Sequence, residues 1–225
     1  MPYNLSMNKA FLRAVIVCGG PIKDYQRLKN SLREDDFFVF CDGGLYHQKE
    51  LGFEPNLIVG DFDSYTQKTT EGLESDFPEA KIIKLPREKD DTDSIYASKY
   101  LYEAGFKNIL IIGAVGERFD HTMANISILV DLYKKGIGAV IQDDYSVMKI
   151  VEEQEQTVSP EYSYFSVVSL SDECTGVSIK NAKYPLENGV IKNSYQYAVS
   201  NEVLDKTKPA LVSIKKGTGL LVMDF

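Results

Sequence analysis

The sequence has no tryptophan, only three cysteines in 225 residues, and fewer basic than acidic side chains, 25 against 33. Each shortage excludes something. Cys18, Cys41 and Cys174 are scattered and odd in number. They form neither a disulfide framework nor a metal-ligand spacing, and they suit a reducing, cytoplasmic setting. A formal net charge of -8 argues against non-specific nucleic-acid binding. No apolar run reaches the length needed to cross a bilayer. The opening MPYNLSMNKAFLRAVIVCGG leads into Gly-Gly and not into a cleavage site, so neither a membrane span nor a leader is expected. Also missing are a glycine loop ending in Gly-Lys-Ser/Thr and a spaced-glycine dinucleotide fingerprint. What is present, 44% hydrophobic and 26% charged residues, is ordinary for a globular chain long enough for one large domain or two small ones.

Two kinds of pattern divide the chain. Up to about residue 140, strand-like runs alternate with helical ones. FLRAVIVCGG, FFVFCDGG, NLIVGDFDS, KIIKLP, NILIIGAVG and AVIQDD read as strands. Ala97, Tyr100, Leu101 and Ala104 fall at helical spacing before Gly105, as do Ile126, Leu129, Val130 and Tyr133 before Gly136. Alternation of this kind, with nearly continuous apolar strands, predicts a Rossmann-like parallel sheet flanked by helices. Beyond Tyr145 the runs YSYFSVVSL, TGVSIKNA, YQYAVSNEV, ALVSIKKG and GLLVMDF are short and rich in β-branched and aromatic residues, with turn signals at ENG and GTG. They predict an antiparallel β-sandwich or barrel. The expected division is 1–145 and 146–225.

Ligands of open parallel sheets bind beyond the carboxyl ends of the strands, and four polar clusters follow strands here. CDGG carries Asp42, and GDFDS carries Asp61 and Asp63. EKDDTDS carries Asp90, Asp91 and Asp93, and GAVGERFDHTMAN carries Arg118, Asp120, His121 and Asn125. Singly, each has a bland reading: a turn, a helix cap, a surface histidine. Four on one edge favour a site. If GDFDS is extended, Asp61 and Asp63 point the same way, which is unfavourable unless water or a cation lies between them. Oxygen donors without His or Cys suit Mg²⁺, which binds through one or two carboxylates plus substrate phosphates. The phosphates would then be held by backbone amides of CGGP, around Gly19, or of GAVGER, and by Arg118, Lys89 or Arg87.

In this order and spacing CDGG, GDFDS, KDDTDS and GAVGERFDHTMANI resemble the thiamine pyrophosphokinase (thiamine diphosphokinase) family. NAKYPLENGVI and YAVSNEV resemble its substrate-binding β-domain. The resemblance covers the chain from about Ala14 onward. It implies transfer of the diphosphate of ATP to the hydroxyethyl oxygen of thiamine, giving thiamine diphosphate and AMP. It also implies a homodimer, with thiamine between the α/β domain of one subunit and the β-domain of the other. By motif matching, Asp61, Asp63 and Asp90 would be metal ligands, with Asp42 and Asp93 completing the acidic site. Arg118 would touch phosphate. The hydroxyl proton could pass to Asp63 or Asp93, or positioning could suffice without a strong base. Asp120, Tyr184, Ser200 and Asn201 would line the thiamine pocket. Two departures stand out: Glu117 lies where the family often has a second glycine, and Tyr184 lies where it sometimes has tryptophan. The rival readings are a pyrophosphokinase for another alcohol such as a hydroxymethyl pterin, a Mg²⁺-dependent phosphohydrolase, and a non-catalytic thiamine or nucleotide sensor.

Overall fold

The computed structural model describes residues 11–63, 65, 69–88, 90–116 and 118–225. It divides into two compact units, Met1–Asp144 and Tyr145–Phe225.

Among the described residues unit 1 has six strands: β1 (Arg13–Val17), β2 (Asp36–Cys41), β3 (Leu57–Gly60), β4 (Lys81–Lys84), β5 (Asn108–Ile112) and β6 (Gly138–Gln142). All pairings among them are parallel, in the order β4-β3-β2-β1-β5-β6. The chain therefore grows outward from β1 to one edge and then returns to add β5 on its other side. That switch between β1 and β5 leaves a crevice at the carboxyl ends of the strands, where such sheets bind ligands.

Helices α1 (Tyr25–Lys29), α2 (Gln48–Leu51) and α3 (Thr70–Asp76) place Leu28, Leu51 and Leu73 against Val15, Val17, Phe40, Ile58 and Ile112. The alternate residues Ala14, Ile16, Val39 and Ile111 are equally inaccessible, and α4 (Asp93–Glu103) packs on β1, β2 and β3. Burial on both faces explains why these strands lack a polar alternation. Helix α5 (Phe119–Lys134) lies against β6 and α4. Its buried positions are Thr122, Asn125, Ile128, Leu129 and Leu132; of the stripe Ile126, Leu129, Val130, Tyr133 expected from apolar spacing, Leu129 is buried and the other three are half-buried. The inward face opens with polar residues, because its first turns meet the crevice rather than the core.

Unit 2 forms two antiparallel sheets. One is β7 (Ser146–Val151), β13 (Gly219–Asp224) and β9 (Tyr164–Ser169). The other is β11 (Leu186–Lys192), β10 (Glu173–Lys180), β12 (Ala210–Ser213) and β8 (Gln156–Val158). Phe165, Val167, Leu221 and Met223 from the first share one core with Cys174, Val177, Ile179, Val212 and Ile191 from the second, as in a sandwich. Two sequence expectations fail locally. ENG is not a turn between strands but lies within β11, where Asn188 takes φ 51 opposite a register shift in β10. YQYAVSNEV makes only isolated bridges, because Tyr195, Tyr197 and Val199 are exposed and give no buried face to pair on.

Candidate active site

A cavity of about 660 Å³ opens at the carboxyl ends of the unit 1 strands. Its floor is the switch between β1 and β5. There Gly20 N–H donates to the Gly113 carbonyl at 2.8 Å. Gly113 has φ 61, and a Cβ on it would fall on the Cys18 carbonyl, so both the turn and the close approach demand glycine. The loop after β1 is held at further points. Lys23 N–H and Asp24 N–H donate to the Asp144 carboxylate at 2.8 and 2.9 Å. His47 Nε2 lies 2.9 Å from the Gly20 carbonyl, and its Nδ1 lies 2.7 Å from the Tyr25 hydroxyl. A carbonyl only accepts, so Nε2 carries the proton and Nδ1 accepts from Tyr25. Burial lowers the pKa of His47 below the usual histidine value, with the Gly20 hydrogen bond and the charge of Asp144 opposing.

Three carboxylates converge beside this loop. One oxygen from each of Asp42, Asp61 and Asp63 lies within 4.8 Å of the other two. Asp42 opens the 3-10 turn after β2 with φ 31, is buried, and accepts from Tyr65 N–H at 2.9 Å. It approaches β3 so closely that a Cβ on Gly60 would meet the Asp42 Cβ at 2.8 Å. The glycine of GDFDS thus makes room for the aspartate of CDGG. Asp61 and Asp63 do converge, but not through a strand pleat. β3 ends at Gly60, Phe62 is left-handed at φ 58, and Asp63 N–H donates to Asp61 Oδ1 at 3.2 Å. A tight turn, rather than an extended segment, brings the pair together.

The other expected residues are placed as follows. Asp93 is half-buried in the first turn of α4, lines the cavity, and follows the cap Thr92, whose hydroxyl accepts from Ile95 N–H at 3.3 Å. Asp90 is exposed and outside the three-carboxylate group. Gly19 and Arg118 line the cavity. Arg118 pairs with Asp120 at 2.6 Å, with both side chains exposed; their hydrogen bond raises the pKa of the guanidinium and lowers that of the carboxyl. Arg87 lies 3.9 Å from Asp63 on the exposed rim. Lys89 and Glu117 fall outside the described residues. A buried polar chain was not foreseen as a unit: Ser94 Oγ donates to Asn125 Oδ1 at 2.9 Å, and Asn125 Nδ2 donates to the Ala114 carbonyl at 2.8 Å. It ties the starts of α4 and α5 to the loop after β5. Its one visible signal was that Ser94 and Asn125 both sit in polar clusters following strands.

In unit 2, Tyr184, Ser200 and Asn201 are neighbours. Asn201 is buried, and its amide is committed to the backbone. Oδ1 accepts from Tyr184 N–H at 3.0 Å and Glu202 N–H at 2.9 Å, while Nδ2 donates to the Tyr184 carbonyl at 2.8 Å. Ser200 is exposed with φ 56, and its N–H donates to Ser166 Oγ at 3.0 Å. Tyr184 is 60% exposed. Lys183 Nζ sits 5.7 Å from its centroid and pairs with Glu202 at 2.6 Å.

Residues 28–141 match the family profile described as thiamin pyrophosphokinase, catalytic domain, and residues 148–218 match thiamin pyrophosphokinase, vitamin B1 binding domain. A thiamine pyrophosphokinase of Bacillus subtilis is 27% identical over 191 residues, covering 84% of this chain and 88% of that protein. The crystal structure of a thiamine pyrophosphokinase from Bacillus subtilis superimposes with a TM-score of 0.84 at 26% identity, covering 94% of this chain and 98% of that one. A thiamin pyrophosphokinase structure from Geobacillus thermodenitrificans gives 0.79 at 28% identity, covering 95% and 97%.

Proposed function

The chain belongs to the thiamin pyrophosphokinase family, and from that premise we propose how its residues divide the work. The reaction moves the terminal diphosphate of ATP to the hydroxyethyl oxygen of thiamine, releasing AMP and thiamine diphosphate. The observation that carries the residue assignment is the convergence of Asp42, Asp61 and Asp63 beside the glycine-walled loops of β1 and β5.

This all-oxygen donor set fits Mg²⁺ and not a soft metal. Asp61 and Asp63 would hold the ion, with Asp42 as the third carboxylate in place of the exposed Asp90. When bound, Mg²⁺ supplies positive charge to the phosphate oxygens. The glycines of the two loops let the phosphates approach the backbone closely. Arg118 adds charge where it develops on the transferring diphosphate. For that it must exchange Asp120 for phosphate, which its exposure permits. The attacking hydroxyl forms a bond to the β-phosphorus as the bond from that phosphorus to the oxygen shared with the α-phosphate breaks. Asp93 or Asp63 takes the hydroxyl proton. In unit 2 the open face of Tyr184 would stack on the thiamine cation, and Asn201 fixes the Tyr184 backbone instead of meeting ligand directly.

We further assign a homodimer, supported by the exposed aromatic side chains Tyr184, Tyr195 and Tyr197 of unit 2. A cytoplasmic setting is supported by three free thiols. No helix among the described residues is long and apolar enough to cross a membrane. The test is to incubate the protein with ATP, Mg²⁺ and a panel of alcohols and to identify the nucleotide formed. AMP appearing only with thiamine is expected. AMP with another alcohol, or ADP or free phosphate with any, overturns the reading.

A further inference from the structure

Two thiols in the cavity wall have no part in diphosphate transfer. Cys18 follows β1 and Cys41 ends β2, and both line the cavity. Because β1 and β2 are parallel with Val17 opposite Phe40, Cys18 and Cys41 are the next pair in register. In-register residues of parallel neighbours point to the same face, and strands about 4.8 Å apart set their Cα atoms within the roughly 4.4–6.8 Å that a disulfide spans. Only 7% of Cys18 and 5% of Cys41 is accessible, so the cavity is the route by which a small oxidant reaches them. Cys174 has no such route, since it is fully inaccessible within the unit 2 core.

We propose that Cys18 and Cys41 are a paired modification site, oxidised by a hydroperoxide to a reversible disulfide that switches off the adjoining nucleotide site. One sulfur attacks the distal peroxide oxygen, breaking the O–O bond and releasing an alcohol or water, to leave a sulfenic acid. The second sulfur displaces the hydroxyl as water, and the S–S bond forms. The peroxide is reduced and the two thiols are oxidised.

The consequence follows from what adjoins each cysteine. Gly19 follows Cys18, and Asp42 follows Cys41. The bridge would fix the Cys18 side chain to that of Cys41 and so tie the loop after β1 to the Asp42 turn, where the packing is already close: a Cβ on Gly44 would fall on the Val17 carbonyl, and one on Gly19 would lie 3.1 Å from the Gly43 backbone. Exchange with an external dithiol restores the two thiols.

The loss of activity rests on reading the cavity as the ATP site; the cross-link does not. The experiment treats the reduced full-length protein with hydrogen peroxide, with and without Mg²⁺-ATP, and follows intact mass, non-reducing peptide maps and AMP formation. The expected result is loss of two hydrogens, a Cys18–Cys41 linked peptide, and AMP formation falling in proportion to the linked fraction and restored by dithiothreitol. Mg²⁺-ATP should slow linkage, and Cys41→Ser should abolish it while Cys174→Ser leaves it intact. No link, a link through Cys174, sulfinic acid in place of the link, or full linkage with undiminished activity each overturns the proposal. If the reduced protein makes no AMP at all, the reading of the cavity fails, and the mass data still decide whether the pair links.

Discussion

In unit 1 the side chains assigned to phosphate and metal are set in place by the fold itself. Asp42 is buried and anchored by Tyr65 N–H, and Asp61 is tied into its own turn by Asp63 N–H. Gly20 is held from two sides. In unit 2 the residue assigned to the organic cation is held at its backbone by the Asn201 amide, while its ring stands largely in solvent beside Lys183. Converging carboxylates repel one another and must be forced together by covalent turns and close packing. An aromatic face is attractive to a cation from many approaches, so it needs only an anchored backbone. Charge calls for prior arrangement, whereas stacking leaves room for the ligand or a partner to complete the surface.

The strongest way to break this contrast is at the carboxylates. Asp63→Asn should cost on the order of 10²-fold or more in kcat for AMP formation at saturating thiamine. The melting temperature of the metal-free protein should stay level or rise, because one charge leaves a crowded group. Near-normal turnover would make GDFDS only a turn. Next, Asn201→Ala leaves the part-buried N–H and carbonyl of Tyr184 without their partner, at a cost of about 1 kcal/mol. Urea unfolding should show it, together with faster hydrogen exchange at Tyr184 and Glu202; a protein as stable as the parent would remove the anchor from the argument. Tyr184→Ala should weaken thiamine binding by about 1–2 kcal/mol and leave ATP binding unchanged by titration calorimetry, with Tyr184→Phe close to the parent. Equal losses for both ligands would show that the two units are not separable in this way.

The smallest effect concerns the histidine of unit 1. Burial depresses the folded pKa of His47, so above the unfolded value the ring is mostly neutral in both states and its contribution to stability is intact. As pH falls through the unfolded value, near 6.5, the unfolded state takes up a proton that the folded state resists, and stability drops by at most about 1.4 kcal/mol per pH unit. Asp144 opposes this by favouring the charged ring, while Tyr25 can face either form. His47→Gln should therefore flatten the fall in melting temperature between neutral pH and pH 5. An unchanged slope would place the acid sensitivity elsewhere.

The central parallel strands β3, β2, β1 and β5 were legible because burial on both faces leaves an unbroken apolar run, as in Ala14–Val17 and Ile109–Ile112. The convergence of Asp61 and Asp63 was legible as a pair, but its cause was not, since a phenylalanine in the left-handed region leaves no mark in composition. The place of Asp42 beside them depends on Gly60 making room, a contact between strands that spacing along one segment does not reveal. His47 and Asp144 were missed because each acts on a loop more than twenty residues away. In unit 2, alternation misled where it was real but unburied: Tyr195, Tyr197 and Val199 alternate as a strand would, yet no sheet covers them.

The grip of Asp144 on the amides of Lys23 and Asp24 spans 121 and 120 residues, and it bears on the order of events at the ribosome. Contacts so distant in sequence close late, after more local ones have formed. A growing chain that has emerged only through the loop after β5 already carries all three converging carboxylates and both glycine loops. The loop after β1 nevertheless has no carboxylate to fasten its far end until β6 and the two aspartates after it have been made. Nucleotide affinity should therefore appear abruptly with the last few residues of unit 1 instead of accumulating strand by strand. An unfinished chain would then be kept from capturing ATP it cannot use.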